Sequence, residues 1–281
     1  MNEREKILNH RRIVIKVGST TLAHESGKIN LRRIEEISRV LTDLRNQGKE
    51  VILVSSGAIA VGFDRLGMAE RPRDVRGKQT ASAVGQAVLM QIYQNFFMSY
   101  NQKVAQILLT RDVLLDTQRR EHARNTFSSL LELGVIPIVN ENDVVSTEEL
   151  GFSENDILSA HVACLMESDL LLILSDTDGL YDTAPENPNA RLIAYVEAID
   201  EKLEAMAGGS SSGLGTGGMT AKLTAAKLAF ESGVDMVIAS GKNPSVVFDV
   251  LEGKVVGTYF CAPRSAPAGR FCEVTGVPAN D

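Results

Sequence analysis

The feature that most constrains this chain is a regular alternation, from Arg12 onward, of short β-branched apolar runs with stretches of helical periodicity. Runs at Ile13 to Val17, Val51 to Ser55, Val104 to Leu109, Val135 to Val139, Leu170 to Ser175 and Val234 to Ala239 are almost continuously apolar. Strands of that kind are buried on both faces, as in a parallel sheet covered by helices. Between the first two, Leu31, Ile34, Ile37, Leu41 and Leu44 recur at helical spacing, and Gly48 follows as a C-terminal cap. Further helical patterns cover roughly Val75 to Tyr100, Arg120 to Leu133, Asp156 to Met166 and Met219 to Ser232. The fold class predicted is therefore α/β, an αβα sandwich.

Bulk properties narrow the function classes. Of 281 residues, 44% are hydrophobic and 23% charged, which is ordinary globular usage. A length of 281 residues admits one large domain or two small ones, and no linker composition divides the chain. The formal charge of −7 gives no general attraction to nucleic acid, so any phosphate site must be local. The charged N-terminal stretch MNEREKILNHRR and the shortness of every apolar run give no expectation of export or of membrane insertion. Cys164, Cys261 and Cys272 form no CxxC pair, which suits a reducing cytoplasm, and Cys164 reads as core. The four histidines show no zinc spacing.

Three segments carry phosphate-binding chemistry. Lys16 lies inside an apolar strand and is followed by Gly18, Ser19 and Thr20. A lysine buried there is costly unless it meets an anion, and ligands of open α/β sheets gather at the carboxyl ends of strands. A lysine that snorkels to water is the alternative. The second strand runs into Ser56-Gly57-Ala58, where a glycine admits a ligand close to backbone amides. The stretch Ala207 to Gly218, AGGSSSGLGTGG, contains a G-x-G-x-x-G string but lacks the preceding strand that a dinucleotide fingerprint requires. Read as an anion-binding loop, it opens a helix whose first turn projects Lys222 toward phosphates. A flexible surface loop is the alternative.

Two polar clusters complete the pattern. Asn140-Glu141-Asn142-Asp143 follows a strand and suits recognition of a small polar substrate, or else is a polar turn. Glu154-Asn155-Asp156 precedes a helix, and capping explains one of its residues.

In order, VIKVGS, SSGAIAVG, KQTASAVGQ, LLTRDV, IPIVNENDVV, ENDILSA, LLILSDTDGLY and SGLGTGGMTAKLTAA resemble the glutamate 5-kinase branch of the amino-acid kinase family from about residue 11 to 260. The ordered set is specific, and SGLGTGGM with the NEND wording separates this branch from acetylglutamate, carbamate, uridylate and aspartate kinases of the same fold. The resemblance implies an open, mainly parallel eight-stranded sheet in one catalytic domain over residues 8–260. It leaves 261–281 as a short tail, without the C-terminal RNA-modifying-enzyme (PUA-type) domain of many bacterial relatives. It implies transfer of the γ-phosphoryl group of ATP to the side-chain carboxylate of L-glutamate. Lys16 and Lys222 would contact the transferring group, with Asp156 orienting both. Ser56, Gly57, Asn140, Asp143 and Asn155 would hold glutamate. Lys16, Ser175, Asp176 and the segment Thr216, Gly217, Gly218, Met219, Thr220, Ala221 and Lys222 would bind ATP. The ATP would carry Mg²⁺ as a substrate metal, with no dedicated protein site. Glu154, where many relatives have Asp, stays outside the site. The same resemblance implies a cytoplasmic dimer or tetramer, feedback inhibition by L-proline, and delivery of product to a glutamyl phosphate reductase. A catalytically silent binder on the same fold, or a kinase with another acceptor, are the rival readings.

Overall fold

A computed structural model of the chain describes residues 4–24, 26–146, 154–184, 187–208 and 216–263. The six apolar runs become β1 (Arg12–Val17), β2 (Glu50–Ser55), β3 (Val104–Leu109), β4 (Ile136–Glu141), β5 (Leu170–Ser175) and β7 (Asp235–Ser240). Two short strands, β6 (Tyr195–Val196) and β8 (Thr258–Phe260), complete an eight-stranded sheet of order β3-β4-β2-β1-β5-β7-β8-β6. The six long strands are mutually parallel, whereas β8 runs antiparallel to β7.

Alternation along the strands sorts side chains between two cores. Ile13 and Ile15 of β1 join Leu53, Leu170 and Leu172 beneath α2 (Leu31–Asn46), α4 (Val75–Ser99) and α10 (Val246–Leu251). Val14 joins Ile52, Val54 and Ile173 beneath α6 (Thr117–Glu132), α7 (Asn155–Leu165) and α9 (Thr216–Glu231). Lys16 shares the parity of Val14 and so belongs to the face that carries α7 and α9. The remaining helices are short: α1 (Ser19–Leu22), α3 (Ala58–Arg65), α5 (Arg111–Leu115) and α8 (Glu201–Gly208).

Local signals explain the helix bounds. Side chains of Asn30, Asp74 and Asp116 accept from the backbone N–H three residues on, capping α2, α4 and α6. At the end of α2, Gly48 adopts φ 84° while Gly48 N–H donates to Arg45 O and Lys49 N–H to Leu44 O, a Schellman closure that turns the chain directly into β2.

Four readings change. The strand β3, expected to be covered, is an edge strand with Gln106 exposed and only Leu109 fully buried. The strand β4 runs on through Glu141, so Asn140 is a strand residue and not part of the turn. The helix α7 opens one residue before the expected Asp156, at Asn155, and the N-cap residue Glu154 makes no side-chain cap. The helix after the glycine-rich stretch starts at Thr216, which puts Lys222 in its second turn, not its first. Residues 209–215 of that stretch and 264–281 of the expected tail, with Cys272, lie outside the described residues.

Candidate active site

Strand register gathers the site. Lys16 is level with Val54 on β2 and Ile173 on β5, and Val54 is level with Val139 on β4. Lys16, Ser55, Asn140 and Ser175 therefore lie at, or one residue before, the ends of four adjacent strands at one carboxyl edge, the edge at which open parallel sheets bind ligands.

At its centre two lysines converge on one carboxylate. Lys16 Nζ lies 2.6 Å from Asp156 Oδ1 as an ion pair, and Lys222 Nζ donates to Asp156 Oδ2 at 3.1 Å. Lys16 is 7% exposed, Lys222 8% and Asp156 2%. Lys222 Nζ also donates to Gly218 O, one helical turn back. A Cβ on Gly18 would stand 3.3 Å from Lys16 Nζ, so the bare loop lets the ammonium group lie over its backbone. The trio carries two positive charges against one negative in a nearly dry setting, which leaves one net positive charge facing the edge. Such an arrangement is complementary to a dense anion such as phosphate.

Beside this trio lies a cluster of polar side chains. Asn155 Nδ2 donates to Ser56 Oγ at 2.8 Å and to Asn140 Oδ1 at 3.0 Å. Gly57, at φ 107°, holds the left-handed conformation from which α3 starts. Asp143 Oδ2 accepts from Ser82 Oγ at 2.7 Å. Burial pushes the Asp143 carboxyl above the ordinary carboxylate range, and the Ser82 hydrogen bond draws it partly back.

On the other side of β1, Ser175 Oγ donates to Asp176 Oδ1 at 3.0 Å at the end of β5, with Asp176 exposed. Thr216 to Lys222 form the first seven residues of α9, in which Ala221 is buried and Thr220 exposed.

Sequence reasoning placed α4 but missed the polar face that it turns toward the site. One face of α4 presents Gln79, Ser82, Gln86 and Tyr93 to the site loops. Gln79 Nε2 donates to Ser146 O, Gln86 Oε1 accepts from Asn140 Nδ2 at 2.9 Å, and Tyr93 and Ser55 hydroxyls lie 2.9 Å apart. Their spacing of three, four and seven is a helical stripe that the string itself contains. The helix is pressed against α3 where glycines meet: a Cβ on Gly85 would fall 1.8 Å from Ala58 O, and one on Gly62 1.7 Å from Ala81 O.

The family model for the amino acid kinase family matches residues 11–240. The chain belongs to the amino acid kinase family. Within it, the glutamate 5-kinase of Clostridium perfringens is 49% identical over 266 residues, covering 93% of this chain and 99% of that protein. The glutamate 5-kinase of Clostridium acetobutylicum is 52% identical over 262 residues, covering 92% and 98%. Identity at that level across nearly both full lengths puts the chain in the glutamate 5-kinase branch. Two solved kinase structures share the fold at low identity. A carbamate kinase from Giardia lamblia bound to AMP-PNP superposes with TM-score 0.63 at 18% identity, covering 91% of this chain and all of that one. An isopentenyl phosphate kinase superposes with TM-score 0.61 at 17% identity, covering 89% and 100%.

Proposed function

We propose that this chain transfers the γ-phosphoryl group of ATP to the side-chain carboxylate of L-glutamate, releasing ADP and L-glutamyl 5-phosphate, the first step of proline biosynthesis. The observation that carries the reading is the convergence of Lys16 and Lys222 on Asp156 beside the pocket of Ser56, Asn140, Asp143 and Asn155. It occurs in a chain about half identical to glutamate 5-kinases over nearly its whole length.

The nucleophile needs no base. A glutamate side chain, with an ordinary pKa of about 4.3, is ionised at neutral pH. One of its oxygens attacks the γ-phosphorus while the bond to the β,γ-bridging oxygen breaks, and the electron pair leaves with ADP. The obstacle is an anionic nucleophile meeting an anionic triphosphate. Lys16 and Lys222 face the γ-phosphoryl oxygens and neutralise them, held by Asp156 so that no reorganisation is required during the reaction. Asp143 pairs with the α-ammonium of glutamate, the Ser56 hydroxyl donates to its α-carboxylate, and Ser175, Asp176 and Thr216 to Lys222 receive the nucleotide. Both Asp156 oxygens already face a lysine, so that carboxylate is spoken for. Mg²⁺ accordingly enters on the nucleotide phosphates as part of the substrate.

The test separates roles. Lys16→Ala and Lys222→Ala abolish ADP release in a chain that remains folded by circular dichroism, and near-normal turnover in either would overturn the reading. Asp143→Ala raises the glutamate KM and leaves the ATP KM in place. L-proline competes at low glutamate, and a flat rate across a proline titration would exclude that part. The same reading places the enzyme in the cytoplasm as a homo-oligomer supplying a reductase.

A further inference from the structure

A carboxamide presents nearly the same shape whichever way its oxygen and nitrogen point, so only its hydrogen bonds decide what it offers a ligand. In this pocket the decision starts outside the substrate's reach. Glu141 N–H donates to Asn140 Oδ1 at 2.9 Å, and Asn140 Nδ2 donates to Gln86 Oε1 at 2.9 Å, which together fix the Asn140 amide. Its Oδ1 then accepts from Asn155 Nδ2 at 3.0 Å. The second hydrogen of that nitrogen goes to Ser56 Oγ at 2.8 Å, with the Ser55 carbonyl oxygen a more distant acceptor at 3.5 Å. Both donors of Asn155 are thereby used, and among the described residues its Oδ1 meets no protein donor. Ser56 Oγ acts as an acceptor toward Asn155 and keeps its own hydrogen for a ligand. Gln86 is 8% exposed and Asn140 3%, so water does not scramble the relay.

We propose that Gln86 is a specificity-determining positioning residue: by fixing, together with Glu141 N–H, the Asn140 amide, and through it that of Asn155, it makes the pocket offer oxygen acceptors to a free α-ammonium and a hydroxyl donor to the neighbouring α-carboxylate. The inference rests on the glutamate reading above and deepens it. With Asp143, the aligned Asn155 Oδ1 gives a cationic donor two acceptors. If Asn155 turned over, an N–H would face the ammonium, and one charge-assisted hydrogen bond would be replaced by a donor–donor clash. A hydrogen bond to a charged group is of a size that changes binding by about ten- to a hundredfold.

The discriminating probe is glutarate, which keeps both carboxylates of glutamate and lacks the ammonium group. In Gln86→Met, a side chain of similar length with no comparable acceptor, the ratio of kcat/KM for glutamate over glutarate falls by about ten- to a hundredfold, while the KM for ATP stays at the wild-type value. Gln86→Glu, which retains the acceptor toward Asn140, restores most of that ratio. An unchanged ratio in Gln86→Met overturns the proposal, as does a Gln86→Glu ratio as low as that of Gln86→Met. If Gln86→Met fails to fold, Gln86→Glu set against Gln86→Lys, acceptor against donor, decides by the same ratio: loss confined to the lysine variant supports the relay, and equal ratios overturn it. A wild-type chain inactive on glutamate would instead remove the glutamate reading, and this inference with it.

Discussion

Replacing Asp156 by asparagine removes the negative charge that the two buried lysines share. Both ammonium groups touch the same carboxylate, so they lie within about 8 Å of each other, where two unit charges at an effective dielectric of about 20 repel by roughly 2 kcal/mol. The lost attractions add to this, and removing one partner of a buried ion pair costs about 3–5 kcal/mol in practice. That is a large part of the roughly 5–15 kcal/mol by which folded proteins are stable. At about 2–4 °C per kcal/mol for chains of up to about 250 residues, the ligand-free Asp156→Asn protein melts about 6–20 °C below wild type. The deficit narrows when Mg²⁺ and a non-hydrolysable ATP analogue are present, because phosphate oxygens take over the neutralising role. Differential scanning calorimetry with and without the analogue reads both quantities. A ligand-free shift under about 2 °C, or a deficit that the nucleotide leaves untouched, would refute the electrostatic account of the trio.

Three further perturbations follow from the geometry. Removing the Ser82 hydroxyl leaves Asp143 with the burial that raises its pKa and without the hydrogen bond that lowers it. In Ser82→Ala the protonated fraction at mildly acidic pH grows, the acid-side rise in glutamate KM moves to higher pH and the ATP KM does not follow; superimposable profiles would contradict this. Burial, aided by repulsion from Arg111, depresses His161 on α7 from 6.5 to about 4. Between those values the unfolded chain binds the extra proton, so stability falls as pH drops from about 6.5 toward 4, by about 3 kcal/mol. Urea unfolding of His161→Gln should show a correspondingly flatter pH dependence. Gly85→Ala drives a methyl group into the backbone of α3, costs at least the roughly 1–3 kcal/mol typical of overpacking and shifts Ser56 and Gly57. It should lower the melting temperature and raise the glutamate KM together, and a variant normal in both would show that the helix contact is dispensable.

What the sequence disclosed, and what it hid, divides along physical lines. The six long strands and the helices between them were legible because covered parallel strands must be apolar throughout and surface helices must alternate. Tyr195–Val196 and Thr258–Phe260 are too short to carry any period, and α3, α5 and α10 span at most eight residues. Lys16 and Lys222 stood out as residue types in unusual places, whereas the part expected of Asp156 came from the family resemblance. Their meeting across 140 and 66 residues of chain depends on register and on the parity that turns Lys16 toward α7 and α9. Ser82 and Gln86 sat in a string quoted for its resemblance, yet polar residues on a mostly buried helix announce nothing until their partners Asp143 and Asn140 are in place.

The most direct measurement is ATP-dependent acyl-hydroxamate formation with Mg²⁺ and hydroxylamine, comparing L-glutamate, N-acetyl-L-glutamate and L-aspartate. On the reading proposed above, in which Asp143, Asn155 and Ser56 hold the α-ammonium and α-carboxylate of L-glutamate, hydroxamate forms from L-glutamate alone: N-acetyl-L-glutamate has no free ammonium, and the shorter L-aspartate does not bring its side-chain carboxylate to the lysines. Preferential turnover of N-acetyl-L-glutamate or L-aspartate, or none with any acceptor, would contradict the account.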